Sequence, residues 1–256
     1  MTYKIKAPSH IDTTINLPAS KSISNRALIL HALSGGKELP QNLSDCDDTE
    51  VIINALRDMP PTIDIKAAGT AMRFMTAYLS VTPGEHTITG TERMRHRPIR
   101  VLVDALRTLG ADIQYTDEEG YPPLHINGHS LEGGILTIPG DVSSQYISAL
   151  LMVGPTMKKG LTLRLSGDIV SRPYIDLTLH VMHEFGISVD WTNVDTISVE
   201  HQGIHEQPYT IENDWSASSY WYEILAMLDD RESTVRLPGL KDGTRQGDSA
   251  VRYLYS

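Results

Sequence analysis

An internal repeat of about 75 residues is the feature that most constrains the fold of this chain. An Arg-Pro pair begins a helix-like segment at Arg97, and a second such pair begins another 75 positions later at Arg172. A small polar turn leads into an apolar segment at Thr70, and a similar turn lies 74 positions further on at Ser144. The nearly equal offsets indicate two copies of one structural unit.

Each copy carries the signals of two helices and several short strands. Apolar residues recur at helical spacing over residues 97–110 and 172–186, and a glycine ends each segment. Short alternating segments at 111–115 and 187–191 follow and are typical of strands. The pattern therefore predicts an α/β (α+β) fold in which sheets carry helices on one face.

The same pattern extends in both directions along the chain. Upstream, residues 19–28 and 48–57 predict the two helices of a first unit. Downstream, a helix is predicted at 215–228, a strand at 234–237 and the start of a further helix at Gly247. The sequence thus predicts three complete units and the start of a fourth. Because that last helix has neither a cap nor a following strand, we expect the fourth unit to be incomplete.

Composition and charge restrict the possible functions. The chain has 256 residues, of which 40% are hydrophobic and 21% charged, as is typical of a globular protein. No apolar run approaches the ~18 residues of a membrane span, and no secretory signal is evident. A net charge of −10 argues against a nucleic-acid partner, although an acidic protein can still concentrate basic residues in one cleft. The single cysteine, Cys46, excludes an internal disulfide and favours a cytoplasmic location.

The small polar turns before the helices are suited to binding anions. The first backbone N–H groups of a helix have no partner within it, and the helix dipole favours negative charge there. Ser143 and Ser144 would add hydroxyl donors at one such turn. At another, Ser22 and Arg26 share a helical face, so Arg26 could bind a carboxylate through two hydrogen bonds while Lys21 acts as a point charge.

A basic cluster adds to this pattern. It consists of Arg93, Arg95, Arg97 and Arg100, the densest group of cations in an acidic chain. Together the turns and the cluster indicate a small ligand that bears both phosphate and carboxylate. Taken singly, each feature has an alternative interpretation, because a serine-rich turn is often only an N-cap and an arginine cluster is often a solvated face.

We expect no metal and no reactive thiol. His180 and His183 lie three positions apart on a predicted helix, but no third ligand stands near them in the sequence. Cys46 lies among Asp45, Asp47 and Asp48, whose charges would oppose formation of a thiolate.

Five ordered motifs resemble the EPSP synthase (3-phosphoshikimate 1-carboxyvinyltransferase) family. They are PASKSISNR at 18–26, AGTAMR at 68–73, RPI at 97–99, VSSQ at 142–145 and VSRPYID at 170–176. The later segments NDWSASSY at 213–220 and QGD at 246–248 fit the next repeat of that family. The resemblance therefore covers the whole chain.

The resemblance implies a fold of two lobes, each with three repeats about a pseudo-threefold axis. Residues 16–210 would form a complete lobe on the shikimate 3-phosphate side, while 1–15 and 211–256 would belong to an incomplete second lobe. The family transfers the enolpyruvyl group of phosphoenolpyruvate to the 5-hydroxyl of shikimate 3-phosphate and releases phosphate. It uses no metal or organic cofactor, so the expected partners are the two small substrates, and the full-length protein is expected to be a monomer.

The resemblance also implies roles for individual residues. Ser22 and Arg26 would hold the shikimate carboxylate. The 3-phosphate would lie in a pocket formed by Ser143, Ser144, Ser171 and Tyr174, and Gln145 would bridge the two substrates. The residues implied to contact phosphoenolpyruvate are Lys21, Gly69 and Arg97, of which Lys21 would also lie near the reacting hydroxyl and is the expected catalytic residue.

Some positions depart from the family pattern. Phe74 and Ala67 stand where proline and asparagine are common, and Arg172 replaces a common lysine, which puts the details of the phosphoenolpyruvate pocket in doubt. The glycine at Gly69 implies sensitivity of the intact enzyme to glyphosate. The family's catalytic aspartate and lysine would lie beyond the last residue, so we expect this chain alone to bind shikimate 3-phosphate weakly and without turnover.

Two other functions stay open at the level of sequence. A sister enzyme that acts on UDP-N-acetylglucosamine would share the fold, but it would carry a reactive cysteine in a mobile loop, and Cys46 lies elsewhere. A non-catalytic half-enzyme that binds an anion or pairs with another chain would explain the same binding motifs. Calorimetry with shikimate 3-phosphate, with and without phosphoenolpyruvate, separates these alternatives.

Overall fold

The computed structural model describes residues 8–228 and 230–255, so the predicted N-terminal segment 1–15 is described only from residue 8. The helices are α1 (Lys21–Ser34), α2 (Asp47–Asp58), α3 (Gly69–Val81), α4 (Glu92–Arg95), α5 (Arg100–Thr108), α6 (Ser144–Val153), α7 (Arg172–Glu184), α8 (Trp215–Met227) and α9 (Val251–Leu254). The strands are β1 (Asp12–Thr14), β2 (Thr62–Asp64), β3 (Gly84–Thr89), β4 (Asp112–Tyr115), β5 (Leu124–Gly128), β6 (Gly134–Pro139), β7 (Leu161–Ser166), β8 (Val189–Asn193), β9 (Thr196–Val199) and β10 (Thr234–Arg236).

The predicted repeat is visible in two sheets of identical topology. The strand order is β2-β3-β5-β4 in one and β6-β7-β9-β8 in the other. In each sheet the first two strands are parallel, because a helix connects them, and the last two form an antiparallel hairpin. The prediction of an α/β fold with a repeated unit is confirmed.

The first unit differs from the other two, and the prediction of three complete units is wrong in this respect. It has its two helices, α1 and α2, but α2 leads directly into β2 without a hairpin. Among the described residues, its sheet is reduced to two isolated bridges, a parallel one between Gln41 and Thr210 and an antiparallel one between Ala19 and Asn213. Residues near Thr210 therefore return after the third unit to pair with the first.

The first helices of the three units form the centre of the fold. Helices α1, α3 and α6 contact one another, and nearly all residues of α3 and α6 are buried. The core is made of aliphatic side chains with two buried phenylalanines, Phe74 and Phe185. This packing fixes the three helices, so their N-termini have defined relative positions.

Two predicted helix starts illustrate the effect of proline. Helix α7 begins at Arg172 with Pro173 in its first turn, as predicted, since proline lacks only an N–H that would have no helical partner there. Helix α5 begins at Arg100, three residues later than the predicted start at Arg97. The reason is that Ile99 has φ of −134°, and its amide donates to Gly120 O.

The strand nearest the N-terminus pairs with the C-terminal part of the chain. Strand β1 is parallel to β10, with Thr13 opposite Val235. The predicted helix at Gly247 is present, but it begins as a 3-10 turn over Gly247–Ala250 before α9.

Candidate functional site

The ends of several helices converge on one polar cavity of about 440 Å³. The first turns of α1, α3, α6, α7 and α8 all contribute side chains to it. The lining residues are Lys21, Ser22, Asn25, Arg26, Thr70, Ser143, Ser144, Gln145, Ser171, Tyr174, Asp214 and Ser216. Because helix N-termini carry partial positive charge and unpaired N–H groups, this cavity favours an anion.

Arg26 is the most informative residue of the cavity because its charge is buried. Only 3% of its surface is exposed, and it makes no ion pair with a carboxylate among the described residues. Burial lowers the pKa of its guanidinium to about 10, and a smaller effect of Tyr174 opposes this. A buried cation without a protein counterion is stabilised when an anionic ligand binds beside it.

The guanidinium of Arg26 is held by neutral oxygens. Its Nε donates to Thr178 Oγ1 at 2.7 Å, and its Nη2 donates to Ser148 Oγ at 3.0 Å and to Tyr174 O at 3.4 Å. Its Nη1 donates to Ser22 O at 2.7 Å, which confirms that the two residues share a helical face. Since a guanidinium has five N–H groups, these four bonds leave one for a ligand. A pair of hydrogen bonds from Arg26 to a carboxylate would require the ligand to replace one of these bonds, and that pair stays a prediction.

Serine hydroxyls at the starts of α6 and α7 also line the cavity. Ser143 is the N-cap of α6, where its Oγ accepts from Gln145 N at 3.4 Å. Its own O–H group remains a donor, as do the hydroxyls of Ser144 and Ser171 at the starts of α6 and α7. The Tyr174 side chain also lines the cavity, and burial followed by the charge of Asp248 raises its pKa. Several neutral donors at two helix N-termini suit a phosphate group.

Lys21 and Asp214 bring opposite charges to the cavity. Asp214 caps α8, with Oδ2 accepting from Ala217 N at 3.1 Å. Burial raises the pKa of its carboxyl, and hydrogen bonds from backbone amides and the charge of Lys21 act in the other direction. The cavity therefore holds two basic side chains, Lys21 and Arg26, against one carboxylate.

Arg97 lines a second cavity, and its guanidinium lies beside Gly69 at the start of α3. This cavity has a volume of about 380 Å³ and is lined by Ala67, Arg93, Met94 and Arg97. A Cβ atom at Gly69 would lie 2.4 Å from Arg97 Nη1 and 2.9 Å from Arg73 Nη1, so only glycine lets both guanidinium groups approach the backbone here. Burial lowers the pKa of Arg97, and the charges of Arg73 and Arg93 lower it further.

Gln145 links the starts of α6 and α3 within the first cavity. Its Nε2 donates to Thr70 Oγ1 at 3.0 Å, and Thr70 follows Gly69 at the start of α3. The eight predicted residues of the first cavity thus lie together, and the structure places the other two, Gly69 and Arg97, beside them. The roles of all ten stay predictions.

Four lining residues were not among the predicted site residues. They are Asn25, Thr70, Asp214 and Ser216. Thr70 corresponds to Ser144 in the repeat, so the repeat itself could have identified it. Asn25 carries no such signal: its Oδ1 accepts from Thr49 Oγ1, while its Nδ2 is buried without a partner among the described residues.

Features elsewhere give no sign of a metal or of a membrane span. Over residues 8–228 and 230–255, no cluster of three or more His, Cys, Asp or Glu side chains could hold a metal ion. His183 Nε2 lies 2.6 Å from Val189 O and is thereby engaged. Within the same residues, no helix combines the length and the apolar character needed to cross a bilayer.

The fold and the cavity define a class: a repeated α/β protein in which helix N-termini converge on one polar cavity. The family model for EPSP synthase (3-phosphoshikimate 1-carboxyvinyltransferase) matches residues 5–64 and 59–254. The chain therefore belongs to the EPSP synthase family, and the resemblance inferred from its motifs is confirmed. The two matched parts overlap at residues 59–64, which follow α2 and include β2, next to the point where the first unit lacks its hairpin.

Individual relatives agree with this assignment. The chain is 61% identical over 249 residues to a 3-phosphoshikimate 1-carboxyvinyltransferase of Bacteroides fragilis, covering 97% of the chain and 60% of the relative. It is 38% identical over 275 positions to the Tolumonas auensis protein of the same name, covering 96% of the chain and 64% of that relative. The chain thus spans about 60% of the length of these relatives. The matches extend along almost all of this chain. They give no support to the expectation that it is an inactive fragment.

A solved structure has the same fold. The EPSP synthase of Acinetobacter baumannii superimposes with a TM-score of 0.78 at 21% sequence identity. The superposition covers 90% of this chain and 56% of the other. At this low identity the likeness supports the fold alone.

Proposed function

We propose that the first cavity binds shikimate 3-phosphate. The observation that carries this proposal is the buried guanidinium of Arg26, which lines the cavity without a carboxylate partner among the described residues. The ligand would supply the missing negative charge. Family membership then suggests which anion it is, and the relatives are named for the corresponding reaction.

The two anionic groups of shikimate 3-phosphate fit different parts of the cavity. Its carboxylate would lie beside Ser22 and the remaining N–H group of Arg26. Its phosphate would accept hydrogen bonds from Ser143, Ser144 and Ser171, next to Tyr174. A ligand held at both ends is oriented as well as bound, which lowers the entropy cost of a later reaction.

The second cavity would bind phosphoenolpyruvate in this proposal. Arg97 supplies a cation beside the backbone of Gly69, and Gln145 would lie between the two ligands. Lys21 would contact phosphoenolpyruvate and lie near the reacting 5-hydroxyl. The whole protein would transfer the enolpyruvyl group to that hydroxyl and release phosphate, with fixed charges stabilising the transition state. A cytoplasmic location and small-molecule substrates belong to the same proposal.

Isothermal titration calorimetry tests the first step. The 256-residue protein is titrated with shikimate 3-phosphate, with shikimate and with inorganic phosphate. We expect shikimate 3-phosphate to bind at least about tenfold more tightly than either part, because both ends of the cavity then contribute. Equal affinity for shikimate 3-phosphate and inorganic phosphate would contradict the proposal.

A variant of Arg26 tests the observation that carries it. The substitution Arg26→Lys keeps the charge but removes the bonds to Ser148 and Thr178, so we expect affinity for shikimate 3-phosphate to fall at least about tenfold. Arg107→Lys is the matched control. Arg107 lies over an aromatic ring, as Arg26 does, and it donates two hydrogen bonds to the carbonyl oxygen of Ile113, but it lies away from the cavity. The control should bind like the unmodified protein.

A further inference from the structure

The first turn of α6 contacts the first cavity and the loop that carries Arg97 through three consecutive residues. Ser144 lines the first cavity, and Gln145 donates to Thr70, which also lines it and follows Gly69. The next residue, Tyr146, reaches the loop that carries Arg97: its hydroxyl donates to Pro98 O at 2.7 Å. Tyr146 is only 8% exposed whereas Pro98 is exposed, so this hydrogen bond is partly buried.

The hydroxyl of Tyr146 donates its hydrogen bond to the part of the loop where the backbone changes direction. Arg97 N donates to Met94 O at 3.0 Å and closes the turn after α4. Ile99 then adopts φ of −134° and donates to Gly120 O at 2.9 Å. Pro98 lies between Arg97 and Ile99. Because proline has no backbone N–H group, the carbonyl oxygen of Pro98 is its only backbone hydrogen-bonding group.

The ring of Tyr146 contacts the second guanidinium of this region. The Cζ atom of Arg73 lies 5.2 Å from the ring centroid, a distance suited to a cation–π interaction. Arg73 Nη1 also donates to Gly69 O at 2.8 Å. One side chain thus contacts Arg73 through its ring and the Arg97 loop through its hydroxyl.

The positive charges of three neighbouring arginines repel one another, so the Arg97 loop needs this support to stay in place. Arg73, Arg93 and Arg97 are close enough that the charges of the first two lower the pKa of Arg97. Repulsion alone would favour an Arg97 side chain turned towards solvent. A fixed loop keeps its guanidinium within reach of the Gly69 backbone, where a Cβ would lie 2.4 Å from Nη1.

We propose that Tyr146 is a positioning residue for the anion site at Gly69 and Arg97. Its hydroxyl fixes the loop of Arg97 and Pro98, and its ring holds Arg73, so two cations stay beside the same backbone segment before a ligand arrives. The identity of the anion as phosphoenolpyruvate rests on the proposed function, but the fixing of the loop does not.

The test removes only the hydroxyl, by the substitution Tyr146→Phe. The matched control is Tyr115→Phe, because Tyr115 also packs against an arginine, Arg107 at 5.0 Å, while its hydroxyl has no hydrogen-bond partner among the described residues. Amide hydrogen exchange of residues 97 and 99 reports on the loop. Calorimetry of the protein saturated with shikimate 3-phosphate measures the affinity for phosphoenolpyruvate.

We expect amide exchange at residues 97 and 99 to accelerate in Tyr146→Phe but not in Tyr115→Phe. Affinity for phosphoenolpyruvate should fall about three- to tenfold, the effect of one partly buried hydrogen bond, while affinity for shikimate 3-phosphate stays unchanged. Unchanged exchange would overturn the proposal whatever ligand binds. An equal loss of affinity for both ligands would overturn it too, since that result indicates a general structural role. If the unmodified protein binds no phosphoenolpyruvate although exchange accelerates as expected, the proposed function fails and the positioning of the loop stands.

Discussion

Arg26 combines a structural and a binding role in one side chain. Its guanidinium donates to Ser148, 122 positions away, and to Thr178, 152 positions away, so it ties α1 to α6 and α7. The acceptors are neutral, and the positive charge is therefore not cancelled within the described part of the protein. A cavity that concentrates uncompensated charge in this way is consistent with an overall net charge of −10, since the binding of an anion depends on the local potential.

The sequence predicted the identity of most cavity residues but not their contacts. Lys21, Ser22, Ser143 and Ser144 were identified because small polar residues before apolar segments mark helix N-termini, which is a local signal. The hydroxyls that hold Arg26 come from distant parts of the chain, so no local pattern reveals them. The contacts of the Arg26 guanidinium within the protein were therefore not predicted.

Substitution of Gly69 tests the second cavity at the scale of one residue. In Gly69→Ala the new Cβ would overlap the Arg97 guanidinium, which has to move because the backbone of α3 is buried. We expect affinity for phosphoenolpyruvate to fall at least about tenfold, measured by calorimetry on the complex with shikimate 3-phosphate. The affinity for shikimate 3-phosphate should change less than about twofold.

A second glycine provides the control for this substitution. A Cβ atom added at Gly203 would have only His205 atoms nearby, at 3.8 and 3.9 Å, which is ordinary contact. Gly203→Ala should therefore bind both ligands like the unmodified protein. If Gly69→Ala also binds phosphoenolpyruvate normally, the affinity for this ligand does not depend on the approach of Arg97 to the α3 backbone.

At the scale of elements, the first unit is the exception within the repeat. The helical segments of all three units were predictable, because amphipathic patterns extend over many residues. The ten described strands are three to six residues long. Strands this short give a weak sequence signal. For this reason the absence of a hairpin between α2 and β2 was not predicted. The two matches to the family model overlap at residues 59–64, next to this position.

The missing hairpin predicts a difference in local stability. Helix α2 buries Thr49, Val51, Ile52 and Ala55, whereas α7 buries six residues and is followed by the hairpin β8–β9. We expect the amide hydrogens of α2 to exchange at least about tenfold faster than those of α7 in native-state hydrogen exchange, because fewer contacts oppose local opening. Equal protection of α2 and α7 would show that other contacts replace the hairpin.

At the scale of the whole molecule, β1 and β10 join the two ends of the described chain. Asp12 accepts hydrogen bonds from Thr234 and Arg236, and these, followed by the charge of Arg236, lower the pKa of its carboxyl. Asp230 contacts His10 at 2.7 Å, and this hydrogen bond is the largest of several effects that lower its pKa to about 2. Both carboxylates therefore favour the folded state when they are ionised.

The sign of the pH dependence follows from these shifts. A carboxyl with a lowered pKa stabilises the fold above its unfolded pKa of about 4, and this stabilisation is lost as pH falls towards 2. The free energy of unfolding, measured with urea from pH 5 to pH 2.5, should decline less steeply in Asp230→Asn than in the unmodified protein. Asp117→Asn, which changes an exposed carboxylate without an ion pair among the described residues, should keep the original decline. An unchanged decline in Asp230→Asn would mean that the contact with His10 does not persist in solution.

A crystal structure of this protein with shikimate 3-phosphate tests the central claim most directly. Our account predicts one ligand in the cavity of about 440 Å³, with its phosphate on Ser143, Ser144 and Ser171 and its carboxylate beside Ser22 and Arg26. A ligand bound elsewhere, or one in this cavity with its phosphate on Arg26, would contradict the account.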